Sequence, residues 1–242
     1  MASAPSYATV ANPKEDTHVV EEEIEPPRAP SPLLKRSAKQ GDLQNGSGYN
    51  GDARKRRPQE RQKGEKTALQ KHVAFFDRDE DGVIWPQDTF IGFYTLGYGI
   101  ILSFISLVVI HGNFAYWTQK SWIPDPFLRI HIANIHRDKH GSDTGTYDND
   151  GLYVEDKFDR IFDKYSSLPE KDGLFVTDTI RLIYGQRCIM DFLGWGAAIF
   201  EWLATWILLW NRRTPEGAIK YDDVQKVYDG SIYEEISGKK RA

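Results

Sequence analysis

From Thr89 to Gln119 the chain runs without a single Asp, Glu, Lys or Arg, and its densest part, Ile100 to Ile110, has only Ser103 and Ser106 as polar residues. Crossing a bilayer takes roughly 20 apolar residues, so this stretch is long enough to enter lipid. Gly92, Gly97, Gly99 and Gly112 weaken it as one straight rod. Pro124 and Pro126 turn the chain just beyond it, and Trp117 and Trp122 stand where indole rings anchor at a membrane interface. The expectation is a membrane-embedded apolar segment over residues 93–127 that ends in a proline turn and touches lipid without a complete crossing. A buried core helix could have the same composition.

The remainder is polar, with 27% charged residues over the whole chain. A net charge of −4 leaves no basic excess to neutralise phosphates, which argues against nucleic acid as a partner. The basic run Arg54 to Arg57 reads as a solvated patch in a polar tail. A lone cysteine, Cys188, excludes an internal disulfide framework and points to the reducing, cytosolic side of a membrane. Residues 1–64 are rich in Pro, Ser, Gly, Asn and charge; they should form a disordered tail, and they lack the apolar core of a secretory signal.

A second apolar segment, Cys188 to Trp210, repeats Trp195, Ile199, Trp202, Trp206, Leu209 and Trp210 at spacings of three, four and seven. Asp191 and Glu201 interrupt any span, so the pattern predicts an amphipathic, Trp-rich helix over 188–211 lying in a membrane plane, with Arg212 and Arg213 reaching polar head groups. A Trp-rich core helix is the plainer alternative.

The sharpest motif is Asp77-Arg78-Asp79-Glu80-Asp81-Gly82-Val83-Ile84-Trp85-Pro86-Gln87-Asp88. Carboxylates at loop positions 1, 3 and 5, a glycine at 6 and the Val83 carbonyl at 7 make an EF-hand calcium loop of hard oxygen ligands around a sharp turn. Asp88 stands at position 12 in place of the usual Glu; one methylene shorter, it lowers the expected coordination number and drifts selectivity toward Mg²⁺. Leu69, Val73 and Phe76 put a helix ahead of the loop, so the EF-hand should cover 65–92. The strand residue Ile84 needs a sister loop. Ile161-Phe162-Asp163 followed by Asp172-Gly173-Leu174 echoes the first unit as a degenerate EF-hand-like partner, with fainter echoes at Asp150-Gly151 and at Gly217-Ala218-Ile219.

His72 sits on the stripe of the first helix, and His136 and His140 lie four apart, a spacing that suits a metal or haem. In order along the chain, His72-Val73-Ala74-Phe75-Phe76-Asp77-Arg78, the acidic loop, the apolar stretch, the proline turn, Asn134-Ile135-His136-Arg137-Asp138-Lys139-His140-Gly141-Ser142-Asp143 and Tyr228-Asp229-Gly230-Ser231 resemble the caleosins over about residues 66–236. The resemblance implies a calcium-dependent haem peroxygenase, an oxidoreductase that takes oxygen from fatty-acid hydroperoxides, leaves alcohols, and epoxidises unsaturated lipids or sulfoxidises other co-substrates. It implies haem b and Ca²⁺ as cofactors, and the lipid droplet and ER membrane, facing the cytosol, as location. Carried over by position, the haem histidines fall on His72 and His140, with His136 as fallback, and the metal ligands on Asp77, Asp79, Asp81, Val83 and Asp88. The family's proline knot survives only as Pro126, with Gln119, Asp125 and Ile130 at its other places.

The expected fold is mainly α: a C-terminal helical domain over 128–242 carries the second histidine and the amphipathic helix, following the EF-hand and the apolar segment. Fatty-acid hydroperoxides, unsaturated lipid co-substrates and a lipid-droplet monolayer or ER membrane are the expected partners, with homo-oligomer formation left open. The alternative is a non-enzymatic, calcium-responsive structural coat protein of lipid droplets.

Overall fold

The computed structural model describes residues 65–238; the expected tail over 1–64 lies outside them. Thr67 starts the first helix, α1 (Ala68–Ala74), with a reciprocal cap in which its hydroxyl accepts from Gln70 N and its own N–H donates to Gln70 Oε1. The acidic loop follows, containing β1 (Val83–Ile84), and Pro86 opens α2 (Pro86–Thr95) at the position where a missing N–H costs nothing. Gly97 and Gly99, both at positive φ, reverse the chain into α3 (Gly99–Thr118), which packs back along α2 as a helical hairpin.

β2 (Ile130–His131) then returns to β1, with Val83 opposite His131 and Ile84 opposite Ile130. The sister strand of the acidic loop is therefore not the one at Gly173, as the echo suggested. A 3-10 turn (Ile132–Asp138) packs on α3, and Asn134 Nδ2 caps the carbonyl of Thr118 at 2.7 Å. Where the knot prolines are missing, hydrogen bonds close the turn: Gln119 Oε1 accepts from Asp125 N (2.9 Å), and Asp125 accepts from Arg129 Nε (2.7 Å).

The C-terminal half holds α4 (Glu155–Tyr165), β3 (Gly173–Leu174), α5 (Val176–Gln186), α6 (Phe192–Leu208), β4 (Ile219–Lys220), α7 (Tyr221–Asp229) and α8 (Ser231–Ser237). β3 pairs with β4, Gly173 opposite Lys220 and Leu174 opposite Ile219, so the faint echo at residues 217–219 supplies the partner of the stronger echo. The fold is mainly helical. Its larger core joins Phe158, Phe162, Leu182, Trp202, Trp206 and Val224, among others. A smaller one gathers Ile84, Ala115, Ile130, Ile132 and Ile135, and Phe76 and Ile110 pack against both.

The two apolar helices distribute their faces unlike one another. α3 is inside out: Ser103, Ser106, His111 and Thr118 are buried, while Ile100, Ile101, Phe104, Ile105 and Val108 face outward. It is long and apolar enough to cross a membrane by length and composition, yet only 22% of its most apolar window is buried. Its polar face is satisfied inside, His111 bridging Thr89 Oγ (2.8 Å) and the Leu128 carbonyl (2.6 Å). In α6 the expected Trp stripe is divided. Trp202, Trp206 and Leu209 are core residues, Trp206 Nε1 donating to Thr179 Oγ at 3.0 Å, whereas Phe192, Leu193, Ile199 and Leu203 form the outward face. Large aromatic rings bury the most area per residue, which favours Trp202 and Trp206 in the core, while Trp210 stays exposed.

Candidate functional site

Between α1, α3, α6 and the loop after the 3-10 turn lies a largely apolar cavity whose wall includes His72, His136 and His140. The three histidines are thus brought to one space by elements far apart in sequence. His72 has moderate accessible surface, but the ring is enclosed by protein and what remains accessible faces the cavity. Its Nδ1 is 2.6 Å from the Val227 carbonyl, which can only accept. The hydrogen therefore sits on Nδ1, and Nε2 keeps its lone pair. Tyr233 packs edge-on to the ring at 5.4 Å, its hydroxyl 3.3 Å from Nε2. Burial holds the His72 pKa below the usual histidine value, the Val227 hydrogen bond and Asp229 opposing it less strongly.

The chain can approach His72 this closely because of Gly230. At φ +83° it joins α7 to α8, and a Cβ there would lie 2.8 Å from the Lys71 carbonyl and 3.0 Å from His72 Cα. Ser231 is the first residue of α8, and its hydroxyl donates to Asp229 Oδ1 at 2.6 Å.

His140 is placed differently. Its Nδ1 is buried without a hydrogen bond, 3.5 Å from Asp191 Oδ2. That carboxylate is already engaged by Ser142 N (2.8 Å) and Ser142 Oγ (2.6 Å), while Gly194 N donates to its other oxygen at 3.1 Å. These bonds, with the Ser142 hydroxyl foremost, hold Asp191 below the usual carboxylate range and pin the His140 loop to the start of α6. His136, on the 3-10 turn, lies on the same wall, next to Asp138, whose pKa burial raises to about 7.

The acidic loop sits at the end of α1 away from the cap. Carboxylate oxygens of Asp77, Asp79 and Asp81 lie within 4.8 Å of one another. Asp77 is buried; its Oδ2 accepts from Gly82 N at 3.1 Å, and its Oδ1 is buried with no partner. Burial raises its pKa, as befits a carboxylate short of donors. Val83 N donates to Asp81 Oδ1 (2.7 Å), holding the turn that presents the Val83 carbonyl. Asp88 stands apart from the cluster: its Oδ2 accepts from Trp85 N at 3.2 Å at the start of α2, and Arg78 lies 3.8 Å from Oδ1.

Residues 64–237 match the family model described as "Caleosin related protein". The chain belongs to the caleosin family. It is 39% identical over 170 residues to a protein named "Peroxygenase" from Lilium longiflorum, covering 70% of each chain. It is 36% identical over 173 residues to "Probable peroxygenase 4" from Arabidopsis thaliana, covering 69% of this chain and 84% of that one. A 28% identical stretch of 153 residues matches a "Probable inactive peroxygenase-like protein" of the same plant, covering 62% of this chain and 69% of that one. No solved structure matches the chain.

Sequence reasoning did not find Val227 as the partner of His72 or Asp191 as the neighbour of His140, because each lies far along the chain from its histidine. Glu201 was visible as a carboxylate inside an apolar helix, but it was read only as a barrier to spanning. It lines the histidine cavity.

Proposed function

We propose that this caleosin is a haem peroxygenase, loaded with calcium at residues 77–88 and working on fatty-acid hydroperoxides at a lipid-droplet or ER surface. The observation that carries the reading is that His72 and His140 line one largely apolar cavity. The residues fit a haem: His72 offers Nε2 with its other nitrogen fixed by a carbonyl, the arrangement that orients a metal-bound imidazole, and His140 has a buried nitrogen without a partner. A haem held there supplies an iron centre at which the terminal oxygen of a hydroperoxide can be taken up and passed to an oxidisable lipid.

The chain's own residues divide the remaining work. His72, anchored by Val227 and by the close approach of Gly230, would hold the haem through Nε2. His140, with no hydrogen bond on Nδ1, would be the less firmly oriented of the two histidines toward such a group. The apolar wall excludes water, so a lipid hydroperoxide arrives without competition from hydroxide. Asp77, Asp79, Asp81 and the Val83 carbonyl supply hard oxygens for Ca²⁺, and the unpartnered Asp77 Oδ1 is the atom such an ion satisfies. The outward apolar faces of α3 and α6 lie in the lipid monolayer, where the area removed from water favours attachment.

The test is optical. Purified protein should show a Soret band and convert a fatty-acid hydroperoxide to its alcohol. His72→Ala should abolish both yet leave calcium binding nearly unchanged. Wild-type protein that takes up no haem under reconstitution returns the chain to the calcium-responsive coat reading.

A further inference from the structure

The wall that α6 presents to the cavity is a stripe of small or apolar residues, Ala197, Ala198, Ala204, Thr205 and Leu208, with one carboxylate, Glu201, in the middle. The side chain has accessible surface and lines the cavity, among the apolar residues of that wall. Among the described residues no hydrogen bond or ion pair holds the carboxyl. An unpaired carboxylate set in a largely apolar cavity wall, beside chemistry-bearing histidines, is a candidate for a functional role. Burial, reinforced by the charges of Asp143 and Asp138, raises its pKa to about 7. Its own charge is felt by Tyr147, Tyr228 and Tyr233 across the cavity, and Tyr147 and Tyr233 are the rings packed edge-on to His72. Of the other charged and titratable groups on that wall, Lys139 donates to the Tyr147 carbonyl at 2.5 Å and lies 3.6 Å from Asp143, His140 Nδ1 is 3.5 Å from Asp191 without a hydrogen bond, and Asp138, beside His136 on the 3-10 turn, is a second carboxylate whose pKa burial raises to about 7.

We propose that Glu201 is the proton carrier of the cavity, a catalytic carboxylate that takes the hydroperoxide proton and returns it to the departing alkoxide. The role rests on the peroxygenase reading above. In the first transfer the Glu201 carboxylate accepts the proton of ROOH, leaving ROO⁻. The O–O bond then breaks with its electron pair on RO⁻, and protonated Glu201 gives that oxygen its proton, forming ROH and restoring the carboxylate. The terminal oxygen ends on the double bond of an unsaturated lipid, which is oxidised to an epoxide as the hydroperoxide is reduced to an alcohol. No proton is gained or lost over the cycle. With the proton on Glu201, His140 is not needed as both ligand and base.

Two measurements on the full chain test this separately. Without haem, Glu201→Gln should melt at a higher temperature than wild type at neutral and alkaline pH. A carboxyl raised from 4.5 to about 7 by folding binds its proton more tightly in the folded state. Wild-type stability therefore falls as pH rises through that window, and the gap to the variant opens from about 4.5 and is complete above about 7. With haem, Glu201→Gln should keep the wild-type Soret band, lose about a hundredfold or more in kcat, and lose the rise of kcat/KM through pH 7. A peracid, with a more acidic O–H, should be spared much of that loss, and Glu201→Asp should recover part of the rate with the pH limb retained.

Wild-type turnover and pH profile in a haem-loaded Glu201→Gln enzyme overturn the proposal. So does a haem-free protein with no stability gap, or equal losses in the Asp and Gln variants. Failure of the wild type itself to take up haem is the distinct outcome that removes the peroxygenase reading and this role with it.

Discussion

The helix–loop–helix α1–α2 and its counterpart α4–α5 start from the same sequence grammar and end with opposite chemistry. Phe76-Asp77 in one and Phe162-Asp163 in the other close the first helix, and each aspartate has an Oδ1 buried with no hydrogen-bond partner. Asp88 and Asp178 open the second helices, each accepting from the backbone three residues earlier. Between these ends they part. The first loop places Asp79 and Asp81 beside Asp77. The second replaces them with a segment that satisfies itself: Ser166 Oγ donates to the Gly173 carbonyl at 2.6 Å, and Lys171 Nζ donates to the Ser166 carbonyl at 2.6 Å. Ser167 gives both its N–H and its hydroxyl to Asp178, and Arg181 is paired with the same carboxylate. Burial pushes the Asp178 pKa up, but these donors outweigh it and hold the group below the usual range. A loop whose donors and acceptors are matched internally has little to offer a cation, whereas one that leaves carboxylates facing each other needs one.

The largest break in that comparison should come from Asp77→Ala, which we expect to weaken Ca²⁺ binding about a hundredfold or more. Asp163→Ala, at the matching position, should leave the calorimetric binding isotherm unchanged. Equal losses would mean that the second loop also binds.

Next in size is Asp178→Ala. It strands the Ser167 and Phe175 N–H groups and the Arg181 charge, so denaturant unfolding should show a loss of about 3 kcal/mol with Ca²⁺ affinity untouched. A comparable loss in affinity would show that the two units are coupled.

The smallest effect is expected from Asp88→Glu. The longer side chain reaches further toward the Asp77 cluster, so binding competition should show a gain in Ca²⁺ over Mg²⁺ of about threefold. The start of α2 should lose about 1 kcal/mol as the contact with Trp85 N is stretched. Unchanged selectivity would leave Asp88 as a helix cap alone.

The sequence by itself determined what depends on near neighbours. The oxygen pattern from Asp77 to Val83, the cap at Thr67, the length of the uncharged stretch and the turn chemistry at Gly151, Gly173 and Gly217 all rest on residues a few positions apart, where spacing and side-chain type decide geometry. Tertiary structure alone decided what depends on which surfaces meet. The sequence offered Ile84 three echoes of its own loop, at Gly151, Gly173 and Gly217, and it pairs with none of them, because α3 folds back along α2 and delivers Ile130 beside it. α3 carries few polar groups, so its composition gave no facing; packing turned Ser103, Ser106 and His111 inward, where Ser103 Oγ donates to the Gly99 carbonyl and His111 meets Thr89 Oγ. The Trp stripe of α6 was periodic enough to predict a face but not whether that face meets lipid or core. His72, His140 and Glu201 each stood out as chemistry-bearing residues along the chain, yet their shared cavity exists only once α1, α6 and the His140 loop are packed together. Spacing in sequence constrains contacts within one element, and a site built from several elements is fixed by the hydrophobic packing that brings them into contact.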